Sequence, residues 1–183
     1  MNWVQSIRHR VSLSTFDKRA SKVRFPHSFV DFDVAKTIGF IVNIAEFNAE
    51  DLVNFTQYIT KLEDRGKTVV VIEINLERKA EPMFRDTVRS VFINSAQVNW
   101  LFMPSVPTMK SINNFQLDIL VNLDRSEPMT ARYVCGLTNA RTRVGLHEQG
   151  YEEYYELMLQ LSPETKIQKV LEHFEFYAKM LEK

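Results

Sequence analysis

One stretch limits the fold more than any other. Residues 37–76 hold two apolar runs, TIGFIVNI (37–44) and TVVVIEINL (68–76), with a segment of helical periodicity between them. Continuous apolar runs of this length, rich in valine and isoleucine, suit strands buried on both faces. Between them Asn48 stands as an N-cap with Asp51 three residues on, Leu52, Phe55, Ile59 and Leu62 mark one helical face, and Gly66 stops the helix. Strand, helix and strand joined this closely form a βαβ unit, whose two strands pair in parallel. A parallel pair needs cover on both faces, so the remaining chain has to supply further strands and helices. The expected fold is α/β and Rossmann-like: a mostly parallel central sheet of about five to six strands with helices on both faces, plus a basic N-terminal helix.

Downstream the pattern repeats. A short helix over residues 105–115 precedes a strand at 117–123 (LDILVNL); Ser126 caps a helix that begins near Pro128 and runs through Ala131, Val134, Cys135 and Leu137; a short strand follows at 143–146. A last strand is expected at 154–161 (YYELMLQL). Ser162 and Pro163 then open a final helix with Ile167, Val170, Leu171, Phe174, Tyr177, Ala178 and Leu181 on one face. Residues 77–103 are the least legible, with a short strand around 88–93 and a turn before Trp100. The expected organisation is a basic amphipathic helix with its lead-in over residues 1–36, then a single α/β domain over 37–183.

In the first segment Trp3, Ile7, Val11, Phe16, Ala20 and Val23 recur at helical spacing, and Pro26 ends the helix. Charge is unevenly placed. Residues 1–24 carry Arg8, Arg10, Lys18, Arg19, Lys22 and Arg24 against the single acid Asp17, whereas residues 147–183 hold eight acids and four lysines. The whole chain balances at 23 basic and 23 acidic residues, which gives no global field to recruit nucleic acid. The basic helix has three available placements: docked on the acidic C-terminal region, on a partner as a binding arm, or at a membrane surface, where Trp3 fits but Asp17 and the neutral total do not. No signal-peptide pattern or membrane-spanning apolar run is present, and the lone cysteine, Cys135, excludes an intramolecular disulfide framework. The cytoplasm is the expected location.

Several chemistries lack their residues. With glycine only at positions 39, 66, 136, 145 and 150, neither of the glycine-rich phosphate-binding turns can be written. The histidines, at 9, 27, 147 and 173, form no local ligand pair, and no G-x-S-x-G elbow occurs. Cys135 lies among Tyr133, Val134 and Leu137, as a packing cysteine would. No catalytic set, metal site or cofactor is therefore expected. In open α/β sheets ligands gather beyond the carboxyl ends of the strands, which selects Asn43, Glu46, Asn75, Asp124, Arg125 and Ser126. The bland alternative makes these residues turn formers, caps and strand-end hydrogen-bonding groups. Arg143, which with Arg141 brackets Thr142, is a further candidate for anion contact or else a solvated rim. Glu73 interrupts an apolar strand, so it should be paired, at a sheet edge, or near a strand end facing solvent.

Residues 115–146, FQLDILVNLDRSEPMTARYVCGLTNARTRVGL, resemble a stretch in the N-terminal Rossmann-like half of lipopolysaccharide heptosyltransferases of the GT-B fold, through Asp118, Leu123, Arg143, Val144 and Gly145, with Asn122 replacing a second aspartate. The glycine those enzymes place after the first strand is absent here, where the chain reads N-I-A-E-F, and 183 residues leave no room for their second, donor-binding domain. More closely, the chain is similar over nearly its full length to a family of short bacterial proteins of unknown function, through Asn99, Trp100 and Pro104, the strand at 117–124, the R-V-G strand and YYELML. The likeness implies a Rossmann-like fold and no activity. Two functions remain open: a non-catalytic binding or scaffold domain acting on a protein partner or by self-association, and a small-ligand or sugar-nucleotide binding protein derived from half of a GT-B enzyme.

Overall fold

The computed structural model describes residues 3–22, 28–84, 89–125, 129–147, 152–162 and 164–180. Val23, Pro26, Val88, Ser126, Pro128, Pro163 and Leu181, each given a role above, lie outside the described residues. The βαβ unit forms as its sequence dictates. β1 (Thr37–Val42) and β2 (Thr68–Ile74) pair in parallel from Thr37 opposite Thr68 to Val42 opposite Glu73. The helix between them, α2 (Ala49–Asp64), starts where the Asn48 side chain accepts the Asp51 N–H. It ends at Gly66, whose φ of 76° allows the Lys67 N–H to reach the Leu62 carbonyl at 3.1 Å. A residue with a Cβ pays steric strain in that left-handed turn.

The other elements add outward from β1. The sheet contains β3 (Arg89–Ile93), β4 (Leu117–Asn122), β5 (Ala140–Leu146) and β6 (Leu157–Leu159) in the order β3-β2-β1-β4-β5-β6, with every pairing parallel. This is a Rossmann-like, doubly wound fold, and its topological switch point lies between β1 and β4. Helices α2 and α5 (Ile167–Ala178) cover one face, where Phe40, Phe55 and Phe174 meet edge to face at 5.6 and 6.2 Å between ring centres. The other face carries α3 (Val106–Asn113) and α4 (Met129–Leu137), packed on Ile41, Val70, Ile72 and Leu120.

Several boundaries differ from the expected ones. β1 stops at Val42 because the Asn43 side chain caps a 3₁₀ turn, Ile44–Glu46. β5 begins three residues earlier than expected, since its polar Thr142 is buried and satisfied from afar: its hydroxyl donates to the Ser28 carbonyl at 2.7 Å and accepts the Val30 N–H at 2.8 Å. β6 shrinks to three residues because a 3₁₀ turn, Glu152–Tyr154, occupies the start of its predicted span. The final helix starts at Ile167, not at Ser162, whose hydroxyl instead bonds Glu164. Tyr177, expected on the buried face, is 43% exposed.

The N-terminal helix α1 (Trp3–Ala20) docks mainly through aromatic packing. Phe16 meets Tyr133 of α4 edge-on at 5.4 Å and lies 4.8 Å from the Tyr154 ring. The buried Tyr133 hydroxyl donates to the Ser12 carbonyl at 2.8 Å, and the Ser12 hydroxyl donates to the Leu101 carbonyl at 2.6 Å. Gly136 makes the approach fit, since a Cβ there would stand 2.7 Å from the Phe16 ring. The helix thus sits on the α4 layer, on the opposite side of the sheet from α5. Tyr154 joins it to the acidic C-terminal region, its hydroxyl donating to Asp17, an acid of α1 itself.

Candidate functional site

Beyond the carboxyl ends of β1 and β4 the fold brings four of the predicted residues together. Asn43 donates from Nδ2 to Glu46 at 3.4 Å, and the other carboxylate oxygen of Glu46 accepts the Arg125 N–H at 3.4 Å. The Arg125 guanidinium donates to the Thr165 carbonyl, ahead of α5. Asp124 is nearly buried, and its N–H bonds the Asn122 side chain at 3.2 Å. These contacts tie the loops after β1 and β4 to the loop before α5. Ser126 lies outside the described residues. Asn75 stands apart, after β2, where its side chain accepts the Glu77 N–H at 3.0 Å in a tight turn.

Arg143 does not join that cluster, and it is neither a rim residue nor open to an anion. It is 2% exposed in the body of β5; its guanidinium donates to the carbonyls of Cys135 and Thr138, each at 3.1 Å, and lies 3.5 Å from the buried carboxylate of Glu156. Carbonyls at the end of α4 have no helical partner of their own, so the arginine caps that helix from the sheet. Glu73 takes the paired one of its three expected settings, with backbone amides as its partners. β2 is an inner strand and Glu73 is 1% exposed, yet its carboxylate accepts the backbone N–H groups of Met83, at 2.9 Å, and Phe84, at 3.4 Å. Burial raises its pKa above the ordinary value while these two bonds pull it back. Cys135 is buried as expected, and burial pushes its thiol up to about 12, far from a nucleophile's range. Among the described residues no group of histidine, cysteine, aspartate or glutamate is arranged to hold a metal ion.

A second concave surface lies elsewhere, beside α1. Its frame is a turn over residues 98–104, closed by the bridge between Val98 and Pro104. Asn99 builds the turn: its side-chain oxygen accepts the N–H groups of Leu101, at 2.9 Å, and Met103, at 3.1 Å. The turn forces Phe102 to a φ of 61°, a costly conformation for a bulky residue, held by a bond from the Thr130 hydroxyl to its carbonyl at 2.8 Å. The Arg8 guanidinium stacks 3.5 Å above the Phe102 ring centre and 5.6 Å from that of Trp100. Ser105 then caps α3 through the Thr108 N–H.

Between this turn, α3 and the ends of α1 and α4 lies a groove of about 600 Å³. Met103, Pro104, Val106, Met109 and Leu137 give it an apolar lining, while Arg19, Lys22 and Lys110 bring three cations to it. Val106, at 78% exposure, is an apolar residue left in water at the mouth. None of these residues was among the predicted site residues. The one signal in the sequence was the group Asn99, Trp100 and Pro104, which reads as a turn and not as the wall of a groove.

A family model described as "Family of unknown function (DUF6913)" matches residues 8–181. No curated protein matches the chain.

Proposed function

The chain belongs to that family of unknown function, so no activity comes to it by kinship, and from its geometry we propose a non-catalytic binding domain that recognises a protein partner through the groove beside α1. The observation that carries this reading is the groove itself: an apolar lining of five side chains with Arg19, Lys22 and Lys110 around it. Concave, mostly apolar surfaces with a few placed polar groups are where proteins take ligands. Two methionines in the lining adapt to side chains of different shape. The three cations favour a partner segment in which a bulky apolar residue has acidic neighbours.

Peptides selected from a random library on the immobilised protein test this. They should carry an apolar anchor beside aspartate or glutamate, and on titration should move the methyl signals of Met103 and Met109 among the seven methionines. Val106→Asp should weaken binding about tenfold or more by setting a like charge against the acids, while an acid in the first turn keeps α3 intact. Selected peptides that leave Met103 and Met109 unmoved would end this reading.

A second reading, a small-ligand or sugar-nucleotide site at the switch point, is supported by the meeting of Asn43, Glu46, Asp124 and Arg125 where doubly wound folds take nucleotides. The resemblance of residues 115–146 to half of a GT-B transferase points the same way. A thermal-shift screen against nucleotides, nucleotide-sugars and phosphorylated sugars tests it, since a ligand at a hundredfold excess over Kd adds about 2.7 kcal/mol of apparent stability. A shift lost in Arg125→Ala supports the site; a flat response across the panel removes it.

A further inference from the structure

Helix α1 is apolar on two opposite sides. Phe16 and Ala20 turn inward to the domain. Trp3, Val4, Ile7 and Val11 fall on the outward side and are 72%, 43%, 46% and 44% exposed. Trp100, beside Arg8, is 58% exposed, so both tryptophans of the chain stand in water near this helix. Tryptophan combines a large apolar ring with a polar N–H, and concentrates where an apolar phase meets a wet one. At helical spacing Arg10 and Lys18 share the outward side with the apolar stripe. Asp17, the only acid of α1, accepts the Tyr154 hydroxyl.

We propose that this outward face of α1 rests on an anionic membrane surface, its apolar stripe at the boundary of headgroups and acyl chains and its cations against the lipid charges. A basic helix with exposed tryptophan and aliphatic residues has the composition of an in-plane membrane contact. The face is convex, which a fluid surface accommodates without a preformed groove. Charge also weighs against a second copy of the chain as occupant, since three acids of its opposite layer already have cations: Glu50 pairs with Lys166, Glu172 with Lys169, and Glu175 with Arg65 and Lys179. The proposal is independent of the groove, because Trp3, Val4, Ile7 and Val11 do not line it.

Sedimentation of the full chain with vesicles of phosphatidylcholine, with and without phosphatidylglycerol, tests the proposal, and the two tryptophans serve as built-in reporters. The protein should sediment with the anionic vesicles, its emission should move to the blue, and raised salt should weaken both effects. The double variant Ile7→Ser/Val11→Ser changes only outward side chains, so it should keep the thermal midpoint and bind about tenfold or more weakly. Arg10→Glu/Lys18→Glu should lose the preference for anionic lipid. Absence of binding to anionic vesicles at low salt would overturn the proposal. So would binding that the Ile7→Ser/Val11→Ser variant retains, or self-association without lipid that this variant abolishes, which would assign the face to a second copy.

Discussion

At Glu73 burial and hydrogen bonding pull in opposite directions, and the balance leaves its carboxyl above its ordinary pKa. The folded chain therefore keeps that proton to a higher pH than the unfolded chain does, and ionising Glu73 opposes folding. Relative to Glu73→Gln, the wild type should lose stability as pH rises from the ordinary value of 4.5 upward, measured as the difference between their urea midpoints. A constant difference across that range would mean that the Met83 and Phe84 N–H groups fully compensate burial. Arg143 and Glu156 present the opposite case, a buried pair whose side chains are 3% and 7% exposed. Replacing Arg143 with Met removes the cation beside the carboxylate, which keeps only the backbone N–H of residue 143 from this position, and takes the donor from two carbonyls, so it should cost about 3–5 kcal/mol in urea unfolding. The double replacement with Glu156→Met should recover part of that loss. Neither role was legible from sequence, because Glu73 is satisfied by amides ten and eleven residues on, and the helix end that Arg143 caps is placed by the packing of α4 on β1 and β4.

The strands and helices that the sequence did show were those whose order is local. β1, β2 and β4 are continuous apolar runs, and α2 carries its own cap and stop. The start of β5 was missed because Thr142 is polar and its partners, Ser28 and Val30, lie more than a hundred residues away. Residues 98–104 showed only a turn before Trp100 for a related reason, since their fold is held to α1 and α4 by Ser12 and Thr130. Asn43, Glu46, Asp124 and Arg125 could be placed beyond the strands because strand ends follow from strands; the groove escaped because no single segment contains it. At this scale α1 makes a clear test. Phe16 is its main anchor, so Phe16→Ala removes a contact worth about 3–5 kcal/mol. Amide hydrogen exchange in that variant should rise throughout α1 while the protection of β1, β2 and β4 holds. Equal loss of protection in the sheet would show that α1 and the sheet unfold as one unit.

In the whole molecule the sheet grows outward from β1. β2 and β3 add to one edge in chain order, then β4, β5 and β6 add to the other, so no strand has to insert between two already paired. Each addition finds an existing edge, which keeps the entropy of loop closure low. No helix among the described residues is long and apolar enough to cross a membrane. The exception to this outward growth is α1. It precedes β1 in the chain, yet it docks on Tyr133 and Gly136 of α4, with Ser12 and Tyr133 separated by 121 positions. On a ribosome it is therefore made before its seat and must wait until α4 and most of the sheet have emerged. Nascent chains arrested before α4 leaves the exit tunnel should be cut by protease within α1, and chains arrested later should be protected. Until α4 emerges, Phe16 and the outward stripe would both be exposed, leaving the helix free to meet a chaperone or a surface before it meets its own domain.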